Sequence, residues 1–219
     1  MITHDLKEAI LTIRKTVASE VLKKEYATIG LPGGRSVKVL LDALQNEELP
    51  WKKIHFFMVD ERLAPLTSED SNFKMLKSVF FEGLISSGKL PQKNLHPFDP
   101  ENQTPQEYSA TLVDFGGRFD VAVLGVGEDG HVGALFPNYS IESKEEYFFT
   151  IDNSPKLPKE RMTSSRSLLT KSQLGVLLFI GDGKRTALSQ FKDTNVTVSN
   201  CPAKLALEMQ SYVAYTDIR

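Results

Sequence analysis

The stretch FDVAVLGVGEDGHVGALFP, residues 119–137, decides the fold. Residues 119–124 form an apolar run interrupted only by Asp120 and bounded by Gly125. This pattern is typical of a central parallel strand that is covered on both faces. The glycine-rich segment that follows ends at Pro137, which leaves little room for a helix directly after it. The stretch therefore predicts a buried strand whose carboxyl end opens into a long loop.

Strands and helices alternate on both sides of this stretch. Apolar residues at steps of three and four predict an amphipathic helix from Leu6 to Val21. Residues 26–31 then read as a strand, followed by a glycine turn and a helix with Ser36 as its N-cap. Further strands are predicted at residues 54–59, near Leu95, at 147–151, at 175–180 and near the end, with helices from about residues 71, 106 and 184. We therefore expect an α/β fold in one domain, residues 1–219, with a doubly wound, mostly parallel sheet and helices on both faces, as in a modified Rossmann fold.

Composition and net charge argue against several classes of protein. The chain has 219 residues, of which 41% are hydrophobic and 25% charged, and a formal net charge of −2. This balance argues against nucleic acid as a partner, because phosphate-backbone binding normally shows as a basic excess. Cys201 is the only cysteine, which excludes an intramolecular disulfide. No run approaches the roughly 20 apolar residues of a membrane helix, and the N-terminus lacks a signal-peptide pattern. We expect a cytoplasmic protein with no membrane partner.

Doubly wound sheets bind ligands beyond the carboxyl ends of their strands. The loops after Leu31, Val59, Leu124 and Ile180 are therefore the candidate site. The distinctive residues of the sequence fall in these four loops.

The first loop is Pro32-Gly33-Gly34-Arg35-Ser36. It places glycines and a hydroxyl before a predicted helix, where free N–H groups and the helix dipole favour an anion such as phosphate. A tight turn that needs glycine for its backbone angles explains the loop equally well.

The second loop, Val59-Asp60-Glu61-Arg62, carries consecutive charges after an apolar strand. The fork of donors on Arg62 matches phosphate oxygens. Asp60 or Glu61 could bind sugar hydroxyls or orient other side chains. Residues 68–72 read mainly as a solvated loop with a helix cap, in which Asn72 is a further residue of interest.

The third loop contains Asp129 and His131. A histidine beside a carboxylate in a glycine loop can accept a proton from water, which is general-base chemistry. A hydrogen bond that only stabilises the loop remains an alternative. The loop also matches G-x-G-x-x-G, with Asp152 about twenty residues on, as a dinucleotide fingerprint requires. Pro137 and the position of the motif past mid-chain disfavour that interpretation.

The fourth loop, Gly181-Asp182-Gly183-Lys184, ends an apolar strand. Lys184 stands at the start of a predicted helix and is a second candidate phosphate ligand. An ordinary surface lysine is the simpler alternative. The sequence has no metal-spacing motif, so we expect no metal ligands.

Taken together, VDER at 59–62, SN at 71–72, residues 119–137 and GDGK at 181–184 resemble the 6-phosphogluconolactonase family. The resemblance extends from about Gly30 to Lys184. The related glucosamine-6-phosphate deaminases share the D-G-H loop but carry a glutamate just before the proline that corresponds to Pro137. The absence of that glutamate here favours the lactonase.

The resemblance implies hydrolysis of 6-phospho-D-glucono-1,5-lactone to 6-phosphogluconate in the oxidative pentose phosphate pathway, without metal or organic cofactor. It implies that His131 activates water, that Asp129 shapes the loop, and that the phosphate is held by Arg62 and Lys184, with Arg161 as a weaker candidate. Gly34 and Ser36 match the first loop of the family, whereas Arg35 replaces a hydroxyl residue and either adds a cation to the site or points to solvent. A deaminase-like isomerase and a noncatalytic sugar-phosphate-binding protein remain alternatives, and we expect a monomer.

Overall fold

The computed structural model describes residues 1–139 and 143–219. The strands, in chain order, are β1 (Ile2–Thr3), β2 (Ala27–Leu31), β3 (Ile54–Met58), β4 (Asp60–Arg62), β5 (Leu95–His96), β6 (Val121–Gly125), β7 (Phe148–Ile151), β8 (Arg161–Ser164), β9 (Leu174–Phe179) and β10 (Ser211–Thr216). The α-helices are α1 (Leu6–Lys24), α2 (Arg35–Leu44), α3 (Asn72–Leu76), α4 (Glu82–Ser86), α5 (Pro105–Asp114), α6 (Arg166–Thr170) and α7 (Arg185–Lys192). None of the helices in these described ranges is long and apolar enough to cross a bilayer.

The main sheet has seven strands in the order β1-β10-β9-β6-β2-β3-β5, and all of its strand pairs are parallel. From β2 the chain winds outward to β3 and β5, returns to β6 beside β2, and winds outward in the other direction. Because such connections are almost always right-handed, this reversal sends the helices of the two halves to opposite faces. The expected doubly wound α/β fold is confirmed, and its switch point lies between β2 and β6.

A second, three-stranded antiparallel sheet has the order β4-β8-β7. The strand predicted at residues 147–151 is confirmed as β7, which pairs with β8 and not with the parallel sheet. Within this sheet Arg62 is the register partner of Arg161. The small sheet thus brings together two candidate phosphate ligands that lie far apart in the sequence.

Helix α2 begins two residues earlier than the sequence indicated. Gly34, with φ +92°, is the N-cap and supplies no side-chain cap, so the prediction of Ser36 as N-cap is wrong. A positive φ at this position suits glycine, and the turn therefore ends before Ser36 is reached. On this helix Val39 is 39% exposed, whereas Val37 and Leu41 are buried.

The buried carboxylate of Asp120, just before β6, forms hydrogen bonds with residues of α1 and β2. Asp120 is fully buried and accepts hydrogen bonds from the Thr28 backbone N–H at 2.7 Å and from Lys24 Nζ at 2.9 Å. Arg118 lies 3.6 Å from the same carboxylate. A buried carboxylate needs such partners, because an unpaired one is strongly unfavourable.

We expect Asp120→Asn to lower the free energy of unfolding by about 2–3 kcal/mol, since it removes the charge that Lys24 and Thr28 contact. Urea unfolding followed by circular dichroism measures this. The matched control is Asp42→Asn on the exposed side of α2, which should change stability by less than about 0.5 kcal/mol. Equal stabilities for the two variants would contradict the assigned role of Asp120.

Candidate active site

A cleft of about 770 Å³ opens at the carboxyl ends of the parallel strands. All four loops named from the sequence contribute to its walls. The candidate residues that line it are Gly34, Arg35, Ser36, Asp60, Arg62, His131, Arg161 and Lys184. Asp129 stands next to the cleft, in contact with His131.

The third loop presents His131 with one ring nitrogen engaged. His131 Nδ1 and Asp129 Oδ1 are 2.5 Å apart, and the imidazole side chain is only 16% exposed. Since an ionised carboxylate can only accept, Nδ1 carries the proton and donates it, as assigned from the hydrogen-bond pattern. The lone pair of the neutral ring is then on Nε2, and this nitrogen is free to take a proton.

Gly127 makes room for this pair. A Cβ at this position would lie 1.9 Å from His131 Nδ1 and 2.5 Å from Asp129 Oδ1. The Gly127 N–H donates to the His131 carbonyl at 2.8 Å, which closes the loop, and the Phe136 ring packs against the imidazole with centroids 4.6 Å apart. The loop therefore holds the imidazole from the backbone and from one face of the ring.

Asp129 is bound on both carboxylate oxygens. Its Oδ2 lies 3.3 Å from Lys156 Nζ. Burial opposes ionisation of Asp129, but the hydrogen bond with His131 and the charges of His131 and Lys156 outweigh it and lower the pKa of the carboxyl. Asp129 therefore stays ionised to a lower pH than an ordinary aspartate.

The first loop ends at the N-terminus of α2, which lacks a side-chain cap and has no acidic residue in its first turn. The free N–H groups at such an end attract anions. Arg35 and Ser36, in that first turn, both line the cleft. Gly33 is needed here because a Cβ would overlap the Asn72 side chain, with Oδ1 at 1.8 Å.

The acidic residues of the second loop have two different structural roles. Glu61 is fully buried and accepts hydrogen bonds from the backbone N–H groups of Asn72 and Phe73, so it caps α3 and does not face the cleft. Burial raises its pKa, which these backbone hydrogen bonds oppose. Asp60 does line the cleft, where Asn72 Nδ2 donates to its backbone carbonyl at 3.0 Å.

Arg62 and Arg161 face the same cleft from neighbouring strands. Arg62 Nη1 donates to the Asp70 carbonyl at 3.1 Å, and its Nε is buried without a hydrogen bond among the described residues. Arg161 is 4% exposed and donates through Nε and Nη2 to backbone carbonyls of the loop that precedes it. Arg161 thus holds that loop in place, and the two protons of its Nη1 have no acceptor among the described residues.

Lys184 lies on the opposite wall of the cleft, at the end of a 3₁₀ turn before α7. Burial, together with the charges of Lys156 and Arg35, lowers its pKa, while the carboxylates of Glu128 and Asp129 raise it. Lys184, Lys156 and Arg35 line the same cleft as His131.

The sequence analysis missed Lys156 as a residue of the cleft. Residues 152–159 carry two prolines and two lysines and indicated a surface loop. The loop is indeed irregular, but its Lys156 reaches Asp129. No local pattern signals such a contact; only the basic residue Arg161, which follows the loop, hinted that this segment approaches the site.

The dinucleotide interpretation of the third loop finds no support in the backbone. Between Gly125 and Tyr139, all of which the structure describes, no helix begins. A dinucleotide fingerprint requires a helix whose N-terminus faces the pyrophosphate.

The model of the family described as glucosamine-6-phosphate isomerases/6-phosphogluconolactonase matches residues 3–214. The chain belongs to this family. A 6-phosphogluconolactonase of Borreliella burgdorferi is 33% identical over 206 residues, covering 90% of this chain and 86% of that protein. Its counterpart from Thermotoga maritima is 32% identical, covering 83% and 82%. The crystal structure of the 6-phosphogluconolactonase from Thermotoga maritima superposes with a TM-score of 0.82 at 27% identity, covering 99% of this chain and 97% of that one.

Gly127→Ala should displace the imidazole, because the added methyl group would occupy the position of His131 Nδ1. We expect a loss of about 1–3 kcal/mol in stability and a changed chemical shift for the His131 ring in NMR spectra. Gly83→Ala is the matched control, since a Cβ there meets nothing within 4 Å. An unshifted His131 signal in the Gly127 variant would show that the loop is not packed as described.

Proposed function

We propose that the protein hydrolyses 6-phospho-D-glucono-1,5-lactone to 6-phosphogluconate. The observation that carries the proposal is the His131–Asp129 pair in a cleft whose other walls are basic. Family membership and the curated lactonases at 32–33% identity support the same reaction.

In the proposed mechanism His131 acts as the general base. Nε2 removes a proton from water, and the resulting hydroxide adds to the lactone carbonyl carbon. When the bond between this carbon and the ring oxygen breaks, the imidazolium returns its proton to the leaving oxygen, which becomes a hydroxyl group. Asp129 stabilises the imidazolium while it exists and keeps the ring in the productive tautomer. The product is a carboxylic acid that releases one proton to solution.

Binding at the other end of the substrate is assigned to the basic residues. Arg62 and Lys184 are proposed to hold the 6-phosphate, with Arg35, Arg161 and the open N-terminus of α2 at Gly34 and Ser36 as further donors. Asp60, which lines the cleft, is proposed to accept hydrogen bonds from sugar hydroxyls. The N–H groups of Gly127 and Gly130 bond within their own loop, which removes them as donors to the developing oxyanion.

The glutamate that the deaminases carry just before the proline corresponding to Pro137 is absent from this sequence. Residues 132–136 are Val-Gly-Ala-Leu-Phe, and these side chains cannot act as an acid or base. Release of ammonia from glucosamine 6-phosphate would revive that alternative. Tight binding of 6-phosphogluconate without any acceleration of lactone hydrolysis would favour the noncatalytic sensor.

His131→Ala should lower kcat for the phosphorylated lactone by about 10²–10⁴-fold, which is the usual contribution of a general base. Binding of 6-phosphogluconate should change little. The assay is acid release from freshly generated lactone, corrected for spontaneous hydrolysis, and calorimetry measures product binding.

His4→Ala is the control, because His4 is exposed at the N-terminus, outside the cleft. It should leave turnover unchanged. Normal turnover in the His131 variant would remove this residue from the mechanism.

Lys184→Met and Arg62→Met should each raise KM for the phosphorylated lactone by roughly 10–100-fold, since each removes a charged partner of the phosphate. Hydrolysis of unphosphorylated gluconolactone, measured in parallel, should be insensitive to both changes. Lys38→Met, on an exposed part of α2 outside the cleft, is the control. A similar loss with both lactones would place these residues elsewhere in the mechanism.

Location and assembly remain predictions. We propose a cytoplasmic monomer whose partner is a small sugar-phosphate lactone. Analytical ultracentrifugation tests the oligomeric state directly.

A further inference from the structure

The loop of residues 152–159, here called the lysine loop, holds the backbone of Lys156 in a defined position. The Ser154 hydroxyl, in a residue that is 2% exposed, accepts from the Lys156 N–H at 3.2 Å and donates to the Lys156 carbonyl at 2.9 Å. Ser154 N–H donates to the Lys159 carbonyl at 3.1 Å. Hydrogen bonds across its base therefore order this loop.

Arg161 contacts both the lysine loop and the Phe136 ring, which packs against the His131 imidazole. Its guanidinium donates to three successive carbonyls, of Lys156 at 3.2 Å, Leu157 at 3.1 Å and Pro158 at 3.0 Å. The guanidinium carbon also lies 5.6 Å from the centroid of the Phe136 ring, which packs against the His131 imidazole. The lysine loop and the imidazole are thus positioned by the same buried arginine.

The Lys156 ammonium ends between the two members of the pair. Its Nζ lies 3.3 Å from Asp129 Oδ2 and 3.4 Å from His131 Nδ1. Since Nδ1 donates its proton to Asp129, the lysine can donate only to the carboxylate. Its positive charge nevertheless stands within 4 Å of the imidazole ring that must become an imidazolium.

The other charged groups around the pair come from two loops. Glu128 precedes Asp129, and Lys184 interacts electrostatically with both carboxylates and with Lys156. Burial raises the pKa of the Cys201 thiol, which lies next to Gly130, so the thiol is neutral. Among the described residues, Lys156 is the cation that lies within 4 Å of both members of the pair.

We propose that Lys156 is a positioning residue for the base: it anchors Asp129 through the second carboxylate oxygen, so that the first oxygen stays on His131 Nδ1. The catalytic role of this contact rests on the proposed lactonase function. Without Lys156, Asp129 Oδ2 loses its ion-pair partner, and the carboxylate can turn away from the imidazole. The lysine therefore keeps the neutral ring in the tautomer that leaves the lone pair on Nε2.

The test compares Lys156→Met, Lys156→Arg and Lys159→Met with the unmodified protein. The protonated ring nitrogen of neutral His131 is identified by nitrogen NMR in the absence of substrate. For Lys156→Met we expect the preference for a protonated Nδ1 to weaken, because Asp129 loses the contact that holds its carboxylate in place. Arginine should largely restore the preference, and Lys159→Met, which changes an exposed lysine of the same loop, should leave it unchanged.

In Lys156→Met kcat for the phosphorylated lactone should fall by roughly 10–100-fold with KM nearly unchanged, because the base is displaced while the phosphate ligands stay in place. An unchanged preference for the protonated Nδ1 in a variant that retains its circular dichroism spectrum would overturn the inference. If the unmodified protein does not hydrolyse the lactone, the proposed function fails, yet the nitrogen spectrum still decides whether Lys156 positions the His131–Asp129 pair. The two failures are therefore distinguishable.

Discussion

The hydrogen bond between His131 and Asp129 is the interaction on which the chemistry of this fold depends. It fixes which ring nitrogen is free, and it is possible only because Gly127 leaves the space that the two side chains occupy. Phe136 on one face of the ring and Lys156 on the far oxygen of the carboxylate complete the surroundings. A general base needs these contacts, because a freely rotating imidazole would lose both its preferred tautomer and its orientation towards the substrate.

The topology of the two sheets brings the other residues of the cleft close to this pair. Because the winding of the sheet reverses between β2 and β6, the loops that follow these strands diverge and leave a cleft between them. β9 contributes the wall with Lys184, and the antiparallel sheet brings Arg62 and Arg161 into register on the other side. The basic walls and the base therefore come from segments that are distant in sequence, and a substrate that carries a phosphate at one end and an ester at the other fits this distribution of charge.

The sequence was sufficient for the parts of the structure that have a local signal. Apolar runs marked the parallel strands, and glycines and charges at strand ends marked the four loops, so the cleft and the lining residues in these loops were predictable. β4 and β8 lacked such a signal, since the first has three polar residues and the second depends on pairing across about a hundred residues. Ser36 was misassigned because residue preference favours serine as a cap, whereas the backbone places Gly34 there. Lys156 was overlooked because proline and lysine in an irregular segment indicate a solvated loop, and its contact with Asp129 exists only in three dimensions.

The most direct test of this account is the nitrogen NMR spectrum of the His131 ring at a pH at which the imidazole is neutral. The account predicts a protonated Nδ1 and an unprotonated Nε2, and an Asp129→Asn variant should lose this preference. A neutral ring that carries its proton on Nε2 would contradict the account, because no lone pair would then face the cleft to accept a proton from water.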